Sequence, residues 1–406
     1  MTNALHLADA RLVCPAGGER TGDLLIVDGI IVEGPVPDHA RTVDCGGRLL
    51  APGIVDLGVG TIDRAAARAG GIVRVAPLPD QSPVLDEPGA VQRLALIGRP
   101  DLWIHPIAAA TRGLKGTDLA EMAVCRSAGA RAVGTGRRWI ADSGVMHRVL
   151  AYARDLDITV VSHAEDAGLV GDAVATAGET ASRLGLPAAP ALAEALAIAR
   201  DLMLAEDTGA RLHLRCVTTA AGFALVRAAK ARGVRVTCGT TPAYLLLSDI
   251  AMSDFRTFAH LSPPLRGEGD RRATLAALAD GTIDVLSSGH DPRGPEEKRL
   301  PYADATAGAA DAATLLALSL GLARDGHVTL PRLFALLATG PAAVLGLETG
   351  TLAPGMPGDV ILIDEHAPWQ VDADTLPGQA GNTPFDGLPV QGRVTAMWKG
   401  GREIAA

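Results

Sequence analysis

The sequence predicts a (β/α)8 barrel joined to a small β-sandwich domain that is formed by both ends of the chain. Across residues 51–344, short apolar segments typical of buried strands alternate with helical segments. Residues 1–50 and 345–406 read instead as short strands and turns. With 406 residues, 48% of them hydrophobic, the chain is long and apolar enough to build both units.

The expected end domain begins with a hairpin. Residues 24–27 are apolar, Asp28-Gly29 is a turn signal, and residues 30–34 form the return strand. Near the other end, residues 359–364 and 392–401 have the same strand-like pattern. We therefore expect the two ends to pair in one small domain.

The expected barrel consists of strand–helix units. Its active residues should lie at the carboxyl ends of the strands, where the chemistry of such barrels is found. The clearest strands are residues 158–162, 211–216, 234–238 and 282–287, and the clearest helices are residues 191–207 and 222–232.

Composition narrows the class of protein. The chain has 37 basic and 46 acidic residues, a net charge of −9, which argues against a nucleic-acid partner. No apolar run approaches the roughly 20 residues of a membrane span. The five cysteines are scattered, without a CxxC pair, which is typical of a reducing compartment. We expect a cytoplasmic protein without a membrane or nucleic-acid partner.

Several segments at predicted strand ends carry a family resemblance, in the same order along nearly the whole chain. Residues 51–60 (APGIVDLGVG) fit the frame P-G-x-x-D-x-H-x-H, and residues 162–166 (SHAED) fit H-x-E-D. Residues 78–86, 262–266 and 382–385 fit further motifs. Together they resemble the dihydroorotase family of the amidohydrolase superfamily, which implies a (β/α)8 barrel with a zinc pair.

The same resemblance implies six zinc ligands, and most of these positions hold other residues here. His163 is the one retained ligand. The other positions hold Gly58, Gly60, Thr135 or Gly136, Cys216 and Gly289. Gly289 replaces the aspartate that is also the family's general acid/base. We therefore expect no metal, no cofactor and no catalytic residue of the family type.

The family's carboxylate clamp is also replaced. Ile62 and Asp80 stand where the resemblance implies an arginine and an asparagine, and an acid there should repel a carboxylate. His290 and Arg266 are interpreted as vestigial substrate contacts.

The remaining polar side chains have simpler interpretations. We expect His163 and His213 to be structural, and Cys216 to fill space, although a residual metal on His163 and Cys216 stays open. We also expect an ion pair between Asp291 and Arg293, and a solvated loop at residues 137–138.

These observations lead to a first hypothesis and three alternatives. The first is a non-catalytic dihydroorotase homologue that is a homodimeric subunit of a complex with the aspartate carbamoyltransferase catalytic chain. The alternatives are an active amidohydrolase with an altered zinc site, a true dihydroorotase whose ligands are misaligned, and a small-molecule binding module. No G-x-S-x-G, H-E-x-x-H or phosphate-binding loop offers another catalytic centre.

Overall fold

A computed structural model describes residues 3–404 and contains both predicted units. Its strands are β1 Ala4–Cys14, β2 Gly18–Val27, β3 Ile30–Val32, β4 Arg41–Asp44, β5 Leu49–Pro52, β6 Ile54–Val59, β7 Ile72–Pro77, β8 Trp103–Ile104, β9 Ile107–Ala109, β10 Ala132–Gly134, β11 Thr159–Ser162, β12 Ala175–Thr176, β13 Ala188–Ala189, β14 Leu212–Leu214, β15 Val236–Thr240, β16 Val285–Leu286, β17 Val360–Gln370, β18 Pro389–Lys399 and β19 Arg402–Glu403.

Most of the helices lie between barrel strands, and the last four follow the final barrel strand, β16. They are α1 Arg64–Ala69, α2 Pro88–Ile97, α3 Met122–Ser127, α4 Ser143–Asp155, α5 Ala167–Val170, α6 Glu179–Leu184, α7 Leu192–Thr208, α8 Ala220–Ala231, α9 Pro242–Leu246, α10 Glu268–Ala279, α11 Pro295–Lys298, α12 Leu315–Arg324, α13 Leu330–Phe334 and α14 Gly340–Val344. A π-helical turn, Ala335–Thr339, joins α13 to α14.

The end domain is a single eight-stranded sheet to which both ends of the chain contribute. Its strand order is β19-β18-β17-β5-β1-β2-β3, and β4 pairs with β1. The predicted hairpin is present, because β2 pairs antiparallel with β3 around the turn at Asp28 and Gly29. The expected boundary at residue 50 falls within β5, all of which pairs with β17.

The barrel consists of parallel strands, which confirms the predicted fold class. One run of pairing is β6-β7-β8, and the other is β9-β10-β11-β14-β15-β16. Strands β8 and β9 are two pieces of one barrel position, interrupted at His105-Pro106. The predicted helices over 191–207 and 222–232 correspond to α7 and α8.

The barrel closes between its last and first strands through side-chain and loop contacts. Asp56, fully buried in β6, accepts hydrogen bonds from the backbone N–H (2.9 Å) and the hydroxyl of Ser288. The N–H of Gly60 donates to the carbonyl of His290 at 2.7 Å. These bonds bring the loop after β16 next to the end of β6, so the two face one cavity.

Within residues 3–404, no helix is long and apolar enough to cross a membrane.

Candidate active site at the barrel mouth

A cavity of about 270 Å³ opens at the carboxyl ends of the barrel strands. Pockets for small ligands begin at about this size. Three arginines line it, Arg137, Arg215 and Arg293, together with the acids Asp291 and Asp311. The side chains that line the cavity come from loops that follow different strands, and only the closed barrel brings them together.

Two arginine side chains fill the space beside the glycines of the first barrel strand. Gly58 has φ of +84°, and a Cβ atom built on it would lie 3.0 Å from Cδ of Arg215. A Cβ atom on Gly60 would lie 2.3 Å from Nη2 of Arg137. Replacement of either glycine by a larger residue would therefore require an arginine to move.

Arg137 forms ion pairs with two acids from different loops. Its Nη1 lies 2.6 Å from Asp80 and its Nη2 lies 2.8 Å from Asp291. Burial opposes the charge of Arg137, but Asp291 and Asp80 outweigh that effect and raise the pKa of the guanidinium. The expectation of a solvated loop at residues 137–138 is therefore wrong for Arg137 and holds only for the exposed Arg138.

The two expected clamp positions face different surroundings. Asp80 is neutralised by Arg137, so the expected repulsion of a substrate carboxylate is greatly reduced. Ile62 packs against the barrel core. Asp291 also pairs with Arg293 at 2.6 Å, the ion pair that the sequence indicated.

His163 lies between a carboxylate and an arginine. Its Nε2 lies 3.6 Å from Glu165, and Nη2 of Arg215 lies 3.3 Å from its Nδ1. Although burial acts in the opposite direction, His163 and Arg266 lower the pKa of Glu165 to about 2. The carboxylate of Glu165 is thus charged and engaged, and Asp166 separately caps helix α5.

Arg266 belongs to a buried network beneath the cavity. It donates to Glu165 at 2.7 Å and to Thr218 at 2.9 Å, and it lies 3.5 Å from Glu194. Glu194, on α7, accepts hydrogen bonds from the N–H and hydroxyl groups of both Thr218 and Thr219. This network fixes the loop that follows β14, and Arg215 lies on that loop.

The other histidines at the aligned positions are buried, and Cys216 is half-buried. Nδ1 of His290 accepts from the backbone N–H of Ala312 at 3.2 Å. His213 contacts the hydroxyl of Thr237 at 2.9 Å, and burial lowers the pKa of His213 to about 3. Burial raises the pKa of the Cys216 thiol to about 12, so the thiolate that a metal needs is disfavoured.

The side chains present do not fit the zinc pair that the family resemblance implies. Gly58, Gly60 and Gly289 offer no ligand atoms, and the arginine at residue 137 takes the space beside position 60. Among residues 3–404, no group of three or more histidine, cysteine, aspartate or glutamate side chains is arranged to hold a metal ion. A zinc site needs at least three such ligands.

Sequence reasoning missed two residues of the cavity, Arg215 and Asp311. Arg215 has no carboxylate partner among residues 3–404, and its buried Nε has no hydrogen-bond partner. Asp311 accepts from the hydroxyl of Thr383 at 2.6 Å, and burial raises its pKa to about 6. Arg215 lies inside a motif that was aligned with the family, so its position could have been noticed. No local sequence pattern indicates Asp311.

Comparison with known proteins identifies relatives along the whole chain. A family model described as Dihydro-orotase-like matches residues 47–221. A protein of Geobacter sp. (strain M21) named Dihydroorotase is 38% identical, over 96% of this chain and 96% of that protein. A Dihydroorotase of Pelobacter propionicus is also 38% identical, over 98% and 99%.

Solved structures show the same fold at lower identity. L-hydantoinase (dihydropyrimidinase) from Arthrobacter aurescens superimposes with a TM-score of 0.88 at 23% identity, covering 100% of this chain and 96% of that one. A D-hydantoinase superimposes with a TM-score of 0.82, also at 23% identity, over 99% and 95%. Both support the barrel with its additional sheet domain.

The curated relatives contradict the first functional hypothesis. Proteins that are 35–38% identical over nearly the full length carry the name of the enzyme itself. A non-catalytic subunit is therefore the wrong expectation, and the alternative of a hydrolase with an altered site fits better. The homodimer, the aspartate carbamoyltransferase partner and the cytoplasmic location stay predictions.

Proposed function

The chain belongs to the dihydroorotase family, and from that premise we propose that it is a hydrolase of small cyclic amides that carry a carboxylate. The proposed reaction opens the ring: the oxygen of water bonds to the amide carbonyl carbon, the C–N bond breaks, and the nitrogen gains a proton. The single observation that carries this proposal is the guanidinium of Arg215, which lies at a small cavity in the barrel mouth and has no carboxylate partner within residues 3–404.

Arg215 is suited to bind the substrate carboxylate. It is half-buried at the cavity, and its contact with His163 at 3.3 Å does not neutralise its charge with an acid. A guanidinium in such surroundings gains from a bidentate, charge-assisted pair with a carboxylate. Arg137 and Arg293 cannot serve equally, since both are already paired with Asp291.

Apolar side chains form the rest of the cavity wall. Leu78, Leu261 and Tyr244 line it, and the hydroxyl of Tyr244 is engaged with the carbonyl of Pro263 at 2.6 Å. The ring of a cyclic amide can pack against these groups while its carboxylate reaches Arg215. This combination of apolar walls and a few polar groups is typical of small-molecule sites.

Asp311 is suited to move the proton. It lines the cavity, and its pKa near 6 means that it is ionised but still weakly basic at neutral pH. An acid tuned in this way can take a proton from the attacking water and return it to the leaving nitrogen. Such general acid/base catalysis contributes about 10²- to 10⁴-fold to a rate.

The test is an assay of the purified protein for interconversion of dihydroorotate and its ring-opened carbamoyl amino acid. Dihydrouracil, which lacks the carboxylate, is assayed as the comparison substrate. For Arg215→Gln we expect KM for dihydroorotate to rise about 30- to 100-fold, the value of a lost charge-assisted pair. For dihydrouracil, KM should change little. Asp311→Asn should lower kcat by about 10²-fold or more.

The pH profile is a second measurement for Asp311. Since its raised pKa is about 6, kcat/KM of the wild type should rise with pH through about 6 and then level off. A protein that binds dihydroorotate without turning it over would contradict the proposed function. Equal losses on both substrates in Arg215→Gln would contradict the assignment of the carboxylate site.

A further inference from the structure

The position beside Gly60 is occupied by a cation that belongs to the chain itself. Arg137 bridges Asp80 and Asp291, with one terminal nitrogen on each carboxylate, at 2.6 and 2.8 Å. We call these three residues the guanidinium bridge. Asp80 follows β7, Arg137 follows β10 and Asp291 follows β16, so the bridge ties together three loops across the barrel mouth.

The bridge and a side chain at position 60 exclude one another. A Cβ atom on Gly60 would lie 2.3 Å from Nη2 of Arg137 and 2.4 Å from Oδ1 of Asp291. The family resemblance implies a zinc ligand at this position. The glycine therefore removes a ligand and at the same time makes room for the arginine.

A guanidinium can hold two carboxylates together, which is one structural role of a metal ion. It carries a permanent charge, and its planar fork holds two carboxylates in fixed positions. Without a cation, two acids at one site repel each other and one of them takes up a proton. Displacement of Arg137 by a divalent ion would leave a partly buried positive charge without a partner, which is costly.

We propose that Arg137 takes the place of a metal ion, and that the barrel mouth is organised and binds its ligand without any divalent cation. The proposal rests on the proposed function only for the choice of ligand, because the bridge is a property of the folded chain. Arg137 is a positioning residue: it holds the Asp80 and Asp291 loops, and through Asp291 it also orients Arg293.

The experiment compares the wild type with Arg137→Gln and with the control Arg138→Gln. Arg138 is the exposed neighbour of Arg137 and forms no ion pair within residues 3–404. For each protein, bound metal is measured by mass spectrometry, zinc and manganese affinity by titration, and the melting temperature with and without chelator. None of these readouts uses turnover, so they can fail independently of the proposed function.

We expect the wild type and Arg138→Gln to purify with substoichiometric metal and to melt at the same temperature with or without chelator. Arg137→Gln should melt lower, since Asp80 then loses its cation and Asp291 keeps Arg293 but loses the link to Asp80. It should bind zinc or manganese at least about tenfold more tightly than the wild type, because Asp80 and the Oδ1 atom of Asp291 are freed, and carboxylate oxygens are metal ligands. Added metal should restore part of its melting temperature.

Two results would overturn the proposal. One is a wild type that holds stoichiometric zinc and loses melting temperature when a chelator removes it. The other is an Arg137→Gln protein that folds but gains no metal affinity. If Arg137→Gln does not fold, the chelator and metal measurements on the wild type still decide the question.

Discussion

Replacement of Glu194 by alanine should strongly destabilise the barrel and loosen the loop that carries Arg215. Glu194 is fully buried on α7 and receives hydrogen bonds from four donors, the N–H and hydroxyl groups of Thr218 and Thr219, mostly at 2.7 to 3.1 Å. It also lies 3.5 Å from Arg266, which is itself 3% exposed.

The expected loss of stability comes from the buried donors and the buried arginine that lose Glu194 as their partner. Alanine provides no acceptor, so four donors lose their partner, and Arg266 keeps only Glu165 as a counter-charge. Loss of one partner from a buried, hydrogen-bonded charge pair costs about 3–5 kcal/mol. Unsatisfied buried donors add about 1–3 kcal/mol each when no water reaches them. We take about 4 kcal/mol as the expected loss, because such terms are not additive.

The assay is urea unfolding followed by both circular dichroism and tryptophan fluorescence, together with titration of dihydroorotate into the folded variant. Glu206→Ala is the matched control, since Glu206 lies on the same helix but is exposed, and Arg232 is its only ion-pair partner in the described part of the chain. Its free energy of unfolding should stay close to that of the wild type. A Glu194→Ala protein whose free energy of unfolding lies within about 1 kcal/mol of the wild-type value would refute the stabilising role of the buried network, because surface ion pairs contribute that little.

Two further predictions concern the barrel itself. Burial lowers the pKa of both His105 and His213 to about 3, so both side chains are neutral in the folded chain at neutral pH. Their contribution to the free energy of unfolding is therefore fully present above pH 6.5 and is lost as the pH falls toward 3. At pH 4.5 the two histidines together should lower the free energy of unfolding by about 5 kcal/mol relative to neutral pH, as measured by urea unfolding at a series of pH values. Replacement of both histidines by glutamine should make the free energy of unfolding less dependent on pH. Asp56→Ala removes both hydrogen-bond acceptors of Ser288, where the last barrel strand meets the first, and should lower the free energy of unfolding by about 2–4 kcal/mol. Asp56→Asn keeps an acceptor for the N–H of Ser288 and should lower it less. Equal losses for the two variants in thermal unfolding would contradict this role of Asp56.

The candidate site was only partly predictable because its key contacts are long-range. Gly58 and Gly60 were visible in the sequence as replaced ligands, since the P-G-x-x-D frame sets the register of the first strand. The partner that fills the space beside Gly60 was not, because Arg137 is 77 positions away in the numbering and looked like part of a basic loop. Asp311 was missed for a similar reason: its raised pKa comes from its burial in the folded barrel, which its neighbours in sequence do not indicate.

The sequence by itself determined the architecture, a barrel with a small β domain built from both ends, because apolar periodicity and turn signals are local properties of the chain. That the β domain is one continuous eight-stranded sheet was seen only in the structure. It also determined which ligand types are absent at the aligned strand ends. Only the tertiary structure decided what stands there instead: Arg137 held between Asp80 and Asp291, and Arg215 left without an acid. Ion pairs between loops of different strands depend on distances across the closed barrel, and the order of residues along the chain does not contain those distances.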